Sequence, residues 1–222
     1  MPRTLDVNVG RLLPDRTTLL WAGLLVNTEI GLTLAYLLLA DVTVTEPRFL
    51  VYPFVWLNVS LWALVRTTPN PGSVRAKYLG AVLAGAYFLL LAYAGGVFMP
   101  GVGEEMALGW RIAPLPPGWG PALLYSSDAV NLALMPYKVA GYATLAYLVY
   151  ATVVDAAGSA VSGLLGLASC VSCTWPVLAT LLTGVLGSGS AVAAAANEWS
   201  YAVGTGVFVL TVALLYWRPT IR

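Results

Sequence analysis

Long runs without charged residues alternate with short polar stretches along the whole chain. A transmembrane helix needs about 20 mostly apolar residues, because each residue of an α-helix rises about 1.5 Å. The pattern predicts an all-α fold, a polytopic transmembrane helix bundle that forms a single domain over residues 1–222. The six predicted spans are approximately residues 17–40, 48–65, 77–99, 128–154, 158–187 and 191–217. A seventh span would arise if residues 121–135 entered the membrane separately.

Residues 100–125 form the longest stretch between two predicted spans. Prolines interrupt this stretch, and it carries charged residues of both signs. Its two tryptophans, Trp110 and Trp119, are of the residue type that favours the headgroup level of a membrane. We therefore expect an outer loop that contains no spanning helix.

Basic residues in the short loops predict the orientation, because cytoplasmic loops are enriched in Lys and Arg. Such residues gather at the N-terminus, between residues 66 and 77, and at the C-terminus, whereas the remaining loops hold mostly acidic residues. Six spans put all three basic stretches on one side. We expect a multi-pass protein of the cell membrane with both termini in the cytoplasm.

Composition agrees with a membrane location and narrows the function. The chain is 59% hydrophobic and only 9% charged, with a mean hydropathy of +0.80, whereas soluble domains carry roughly 25% charged residues. A net charge of +1 offers no basis for binding nucleic acid. The chain has no histidine, so no haem is expected through His. The expected partners are the lipid bilayer and, as a further candidate, another membrane protein complex.

The two cysteines of the chain, Cys170 and Cys173, lie in the fifth predicted span and are followed by Pro176. Residues three apart share a face of a helix, so both sulfurs could meet one ligand. A proline there could divide the span into two half-helices, and a helix N-terminus next to the pair would favour thiolate. Thiolates bind soft metals such as Cu(I), or exchange with disulfides. The alternative is that both cysteines are small buried apolar residues in an ordinary kinked span.

Three further polar residues fall inside predicted spans. Glu29 and Asn58 each lie near the middle of their own span, where a polar group avoids lipid by facing the bundle interior. We therefore predict a midplane polar site that contains both residues and the cysteine pair, although Glu29 could instead make only a structural hydrogen bond. Lys138 joins this site only if its span begins near Asp128. If the span begins near Pro136, Lys138 extends to the outer interface.

Two stretches carry a resemblance to a known group of proteins. They are Ser169-Cys-Val-Ser-Cys-Thr-Trp-Pro176, and Pro47-Arg-Phe-Leu-Val-Tyr-Pro-Phe-Val-Trp56 earlier in the chain. Together they resemble uncharacterised multi-pass membrane proteins of halophilic archaea, and the resemblance implies copper handling near haem–copper oxidase assembly. The cysteine pair also resembles the intramembrane pair of the vitamin K epoxide reductase family, which reduces a quinone. That family uses a second cysteine pair, which this chain lacks.

These observations predict a non-catalytic membrane protein that binds or passes a soft metal, Cu(I) being the first candidate, at Cys170 and Cys173. Such a protein would fit haem–copper oxidase biogenesis. One alternative is an intramembrane thiol–disulfide oxidoreductase in which the same two cysteines are catalytic. The other is a structural subunit or permease-like partner of a larger membrane complex.

Overall fold

The computed structural model describes residues 16–40, 42, 44, 48–69, 73–101, 108–156 and 191–216. The chain divides into two compact units, residues 1–43 and residues 44–222. The first unit contains helix α1, Arg16–Ala40, in which no residue is buried. Its exposed side chains include Leu20, Trp21 and Val26, which point in three different directions around the helix axis. This helix is therefore apolar around most of its circumference.

The described residues of the second unit form four helices: α2 (Arg48–Arg66), α3 (Val74–Ala94), α4 (Pro136–Ala156) and α5 (Ala191–Tyr216). Helix α4 packs against each of the other three, and α2 also packs against α5. Helix α3 begins after Ser73, whose Oγ accepts a hydrogen bond from the Ala76 amide at 3.3 Å. A serine at this position satisfies an amide that has no partner within the helix. The bundle is therefore built around α4.

A four-stranded antiparallel sheet lies at one end of this bundle. Its strands are β1 (Phe98–Pro100), β2 (Gly109–Ala113), β3 (Ala122–Ser126) and β4 (Val130–Leu134), in the spatial order β1-β4-β3-β2. Strand β1 follows the C-terminus of α3 closely, and only Met135 separates β4 from α4. The sheet is thus attached to the bundle where α3 ends and α4 begins.

The sheet contradicts the predicted all-α bundle of six spans. Strands β2 and β3 lie in the stretch that was interpreted as an outer loop, and β4 occupies the start of the predicted span 128–154. Among the described helices, α1 and α3 are long and apolar enough to cross a membrane, while Leu50–Arg66 and Gly204–Tyr216 are apolar but shorter. The prediction failed because a window of about 20 residues averages over five-residue strands, and a short apolar run fits a strand as well as a helix.

Small residues bring α3 close to α4. Ala76, Gly80 and Ala84 are buried and lie one turn apart on α3. A Cβ atom at Gly80 would lie 3.1 Å from Cδ2 of Tyr150 and 3.3 Å from Cγ2 of Val154 on α4. Residues of this size allow two helix backbones to approach closely. A second pair of small residues four apart on α3, Ala81 and Gly85, is exposed.

Candidate functional site

Six aromatic rings meet where the sheet joins the bundle. We call this cluster the aromatic junction; its members are Trp56, Trp119, Tyr137, Tyr142, Tyr201 and Phe208. The indole of Trp56 stacks on Phe208 with the ring centroids 4.0 Å apart and the planes at 6°. The edges of Tyr137 and Tyr142 approach the same indole at centroid distances of 5.6 and 5.8 Å. The junction therefore joins α2, α4 and α5 at a single indole.

A polar contact and a glycine fix the orientation of this indole. Nε1 of Trp56 donates a hydrogen bond to Oγ1 of Thr205 at 3.0 Å. On the opposite helix, a Cβ atom at Gly141 would overlap the indole, with Cζ3 of Trp56 only 2.6 Å away. Glycine is therefore required at this position for α4 to approach Trp56 so closely. Because Trp56 is only 9% exposed, the ring has little room to move away.

The proline-rich connection between β2 and β3 covers the junction. Trp119 in this connection contacts Tyr137 at a centroid distance of 4.8 Å and Tyr201 at 5.1 Å. Gly118 has a φ of +85°, which favours glycine, and a Cβ atom there would overlap the ring of Pro53 on α2. The carbonyl of Gly118 also accepts a hydrogen bond from the Tyr137 amide at 3.4 Å. This connection therefore holds the first turns of α2 and α4 together.

Lys138 lies in the first turn of α4, which begins at Pro136. Its Nζ donates a hydrogen bond to the carbonyl oxygen of Gly95 at 2.8 Å, and the side chain is half-buried. Gly95 caps the C-terminus of α3, where the partial negative charge of a helix favours a cation. The lysine therefore ties the end of α3 to the start of α4. Because α4 does not begin near Asp128, the condition that would place Lys138 in the midplane site is not met.

Of the remaining sequence-predicted site residues, the structure describes Asn58 on α2 and Glu29 on α1. Nδ2 of Asn58 donates a hydrogen bond to the Phe54 carbonyl, one turn back in α2, at 2.9 Å. Glu29 is half-buried on α1, which belongs to the first unit. Cys170 and Cys173 lie outside the described residues. Among the residues that the structure describes, no group of three or more metal-ligating side chains occurs.

Sequence reasoning missed the aromatic junction; of its members, it placed only Trp119, at the headgroup level of a membrane. Tyr137 is 3% exposed and Phe208 is 2% exposed, so both belong to the core. One available signal was Gly141, one turn after Tyr137. Glycine is a poor helix former, but without a Cβ atom it allows a close approach to the helix backbone. The aromatic junction is a packed connection that holds α2, α4 and α5 in position.

Comparison with known proteins identifies a family for the chain. The model of a family of unknown function, DUF7546, matches residues 2–222. Neither the curated proteins nor the solved structures contain a match to the chain. The family match covers nearly the whole sequence, including both units of the fold. The chain therefore belongs to the family DUF7546.

Proposed function

We propose that this protein is an integral membrane protein in which α3 and the other helices of the bundle around α4 are embedded in lipid. The proposal rests on how large and small side chains are distributed around α3. Four of its five buried positions are alanine or glycine, the fifth being Leu91, whereas its exposed positions include Leu79, Leu83, Leu89 and Leu90, each at least 47% exposed. A helix in a soluble bundle buries its large apolar residues, whereas a helix that faces lipid tails can expose them to the lipid.

Burial supports the same proposal. In the apolar 18-residue stretch of α3, only 22% of the residues are buried, so α3 is not the enclosed helix of a soluble core. Helices α2 and α5 also expose large apolar residues, namely leucines, valines and a tryptophan of α2 and Val209, Leu210 and Leu214 of α5. Soluble monomers rarely expose apolar patches larger than a few hundred Å². The orientation with both termini in the cytoplasm, inferred from the basic loops, is part of this proposal.

Extraction of membranes tests the location. The protein should remain in the membrane pellet after washing with alkaline carbonate and should enter solution only with detergent. Recovery of a folded, monodisperse protein in the carbonate supernatant would contradict the proposal. A reporter fused after Arg222 should be active only on the cytoplasmic side, and activity on the outside would refute the orientation.

For the activity, we propose binding or passage of a soft metal, Cu(I) being the first candidate, at Cys170 and Cys173. The support lies in the sequence: the only two cysteines of the chain are three residues apart in an uncharged stretch and are followed by Pro176. Two thiolates at this spacing suit Cu(I), which prefers sulfur ligands. A role in haem–copper oxidase biogenesis belongs to the same proposal and rests on the resemblance given above.

Metal analysis of the purified protein distinguishes the candidates. The wild type, reconstituted with Cu(I) under reducing conditions, should retain copper, and the double variant Cys170→Ser/Cys173→Ser should not. Equal copper in the two proteins would exclude the cysteines as the site. Quinone-dependent formation of a disulfide without retained copper would instead indicate the thiol oxidoreductase. If the protein neither retains copper nor forms a disulfide, the result favours a structural subunit.

A further inference from the structure

One face of the sheet carries only large apolar side chains and prolines. Directly opposed residues in an antiparallel sheet share a face, and successive residues alternate between faces. Trp110 pairs with Tyr125 and Ile112 with Leu123, and the register continues through β4 to β1. We call this the broad face of the sheet; its residues are Phe98, Pro100, Trp110, Ile112, Leu123, Tyr125, Val130, Leu132 and Leu134.

The opposite face is different in composition. It carries Arg111 and, on β3 and β4, Ser126 and Asn131. Its remaining positions are Gly109, Ala113, Ala122 and Ala133, with Met99 and Leu124 as the larger apolar members. The sheet is therefore amphipathic: Arg111 lies on one face, and the rings of Trp110 and Tyr125 lie on the other.

Only part of the broad face is covered by the bundle. Leu134 on β4 packs against the buried helical core. Strand β2 lies two strands farther out, about 10 Å away at the usual spacing of strands. There Trp110 is 61% exposed and Ile112 is 71% exposed. The broad face, which contacts the helical core through Leu134, therefore continues beyond it as an exposed apolar surface.

The exposed side of α3 leads into this surface. Leu89, Leu90 and Tyr93 are exposed near the end of α3, and Phe98 at the start of β1 is 41% exposed. If α3 lies in lipid, as proposed above, this run of side chains reaches the membrane boundary at the sheet. Tryptophan and tyrosine concentrate at that boundary because each has an apolar ring and a polar group. The rings of Trp110 and Tyr125 are in contact there, with centroids 4.7 Å apart.

We propose that the broad face of the β2–β3 hairpin lies on the lipid bilayer at the boundary between headgroups and acyl chains. Trp110, Ile112 and Leu123 face the lipid, and Arg111 faces the aqueous side with access to phosphate groups. The occupant of this surface is thus lipid, and not a protein partner. The inference rests on the proposed membrane location, because a soluble protein would offer no bilayer beside α3.

Spin labels at three positions test this proposal on the full-length protein in phosphatidylcholine nanodiscs. The background is Cys170→Ser/Cys173→Ser, and the label is attached at Ile112→Cys, at Arg111→Cys or at Leu83→Cys. Collision rates are measured with oxygen, which concentrates in lipid, and with a water-soluble nickel chelate. The label at Ile112 should resemble that at Leu83, with an oxygen-to-nickel ratio several-fold above that of the label at Arg111.

The three labels separate this inference from the proposed membrane location. A water-like ratio at Leu83 would overturn the membrane location itself. A lipid-like ratio at Leu83 with a water-like ratio at Ile112 would overturn only the position of the sheet. Protection of Ile112 from both reagents would show that protein covers the broad face, which also overturns the inference. Leu123→Cys repeats the measurement on β3, so that the conclusion does not depend on one edge position.

Discussion

Replacement of Gly141 by alanine should destabilise the protein, although alanine is the better helix former. The added Cβ would lie 2.6 Å from Cζ3 of Trp56 and 3.4 Å from Cε2 of Phe208. The indole cannot move away freely because it stacks on Phe208 and donates a hydrogen bond to Thr205. Either the ring or the α4 backbone must shift, and both are held by buried neighbours.

The size of the effect follows from opposing contributions. Forcing an extra carbon into a packed core typically costs about 1–3 kcal/mol. A shift that breaks the hydrogen bond of Trp56 adds roughly 0.5–1.5 kcal/mol. Alanine in place of glycine inside a helix returns about 0.8–1 kcal/mol. The net loss in the free energy of unfolding should therefore be about 0.5–3.5 kcal/mol, a fall in Tm of several degrees for a chain of this length.

Gly85→Ala on α3 is the matched control, because a Cβ atom there would have nothing within 4 Å. Thermal unfolding in detergent, followed by the loss of the monodisperse peak in size-exclusion chromatography, compares both variants with the wild type. We expect Gly141→Ala to melt below the wild type and Gly85→Ala to melt at or above it. Equal melting temperatures for the two variants would refute the close contact between α4 and Trp56.

Two substitutions test the polar contacts beside the junction. Lys138→Met should lower the Tm because the Gly95 carbonyl loses its charged donor. A hydrogen bond to a charged group contributes about 1.5–3 kcal/mol, and the loss should be smaller here because the lysine is only half-buried. The control, Lys77→Met at an exposed position of α3, should leave the Tm unchanged. Thr205→Val keeps the shape of the side chain but leaves Nε1 of Trp56 without its acceptor, at a cost of about 1–3 kcal/mol. A Tm equal to the wild type in either Lys138→Met or Thr205→Val would show that the corresponding bond does not stabilise the fold.

The helices could be anticipated from the sequence better than the sheet. The run that became α1 is longer than 20 residues and has Glu29 as its one charged residue after Arg16, so its helical character is visible in hydropathy alone. The run that contains β4 and α4 is also almost uninterrupted, and hydropathy cannot find the boundary at Met135. The available signal was Pro136, because proline is favoured as the first residue of a helix. Strand pairing depends on residues far apart in the chain, which a local pattern does not contain.

The candidate site shows the same limit. Lys138 was recognised as a residue with two alternatives, and the choice between them depended on where α4 begins. The partners of Trp56 come from α4 and α5, more than 80 residues away along the chain, so no local pattern could identify them. The cysteine pair carries the proposed activity and lies outside the described residues. What the sequence predicts about it remains to be tested by metal analysis.

Labelling from within the bilayer tests the membrane location most directly. A hydrophobic carbene precursor is activated by light in native membranes, and the tryptic peptide 78–111, which has no internal Lys or Arg, is then mapped by mass spectrometry. We predict that the label attaches to the large exposed residues of α3, such as Leu79, Leu83 and Leu90, and spares Gly80 and Ala84. An unlabelled peptide, in membranes whose lipids are themselves labelled, would contradict the account.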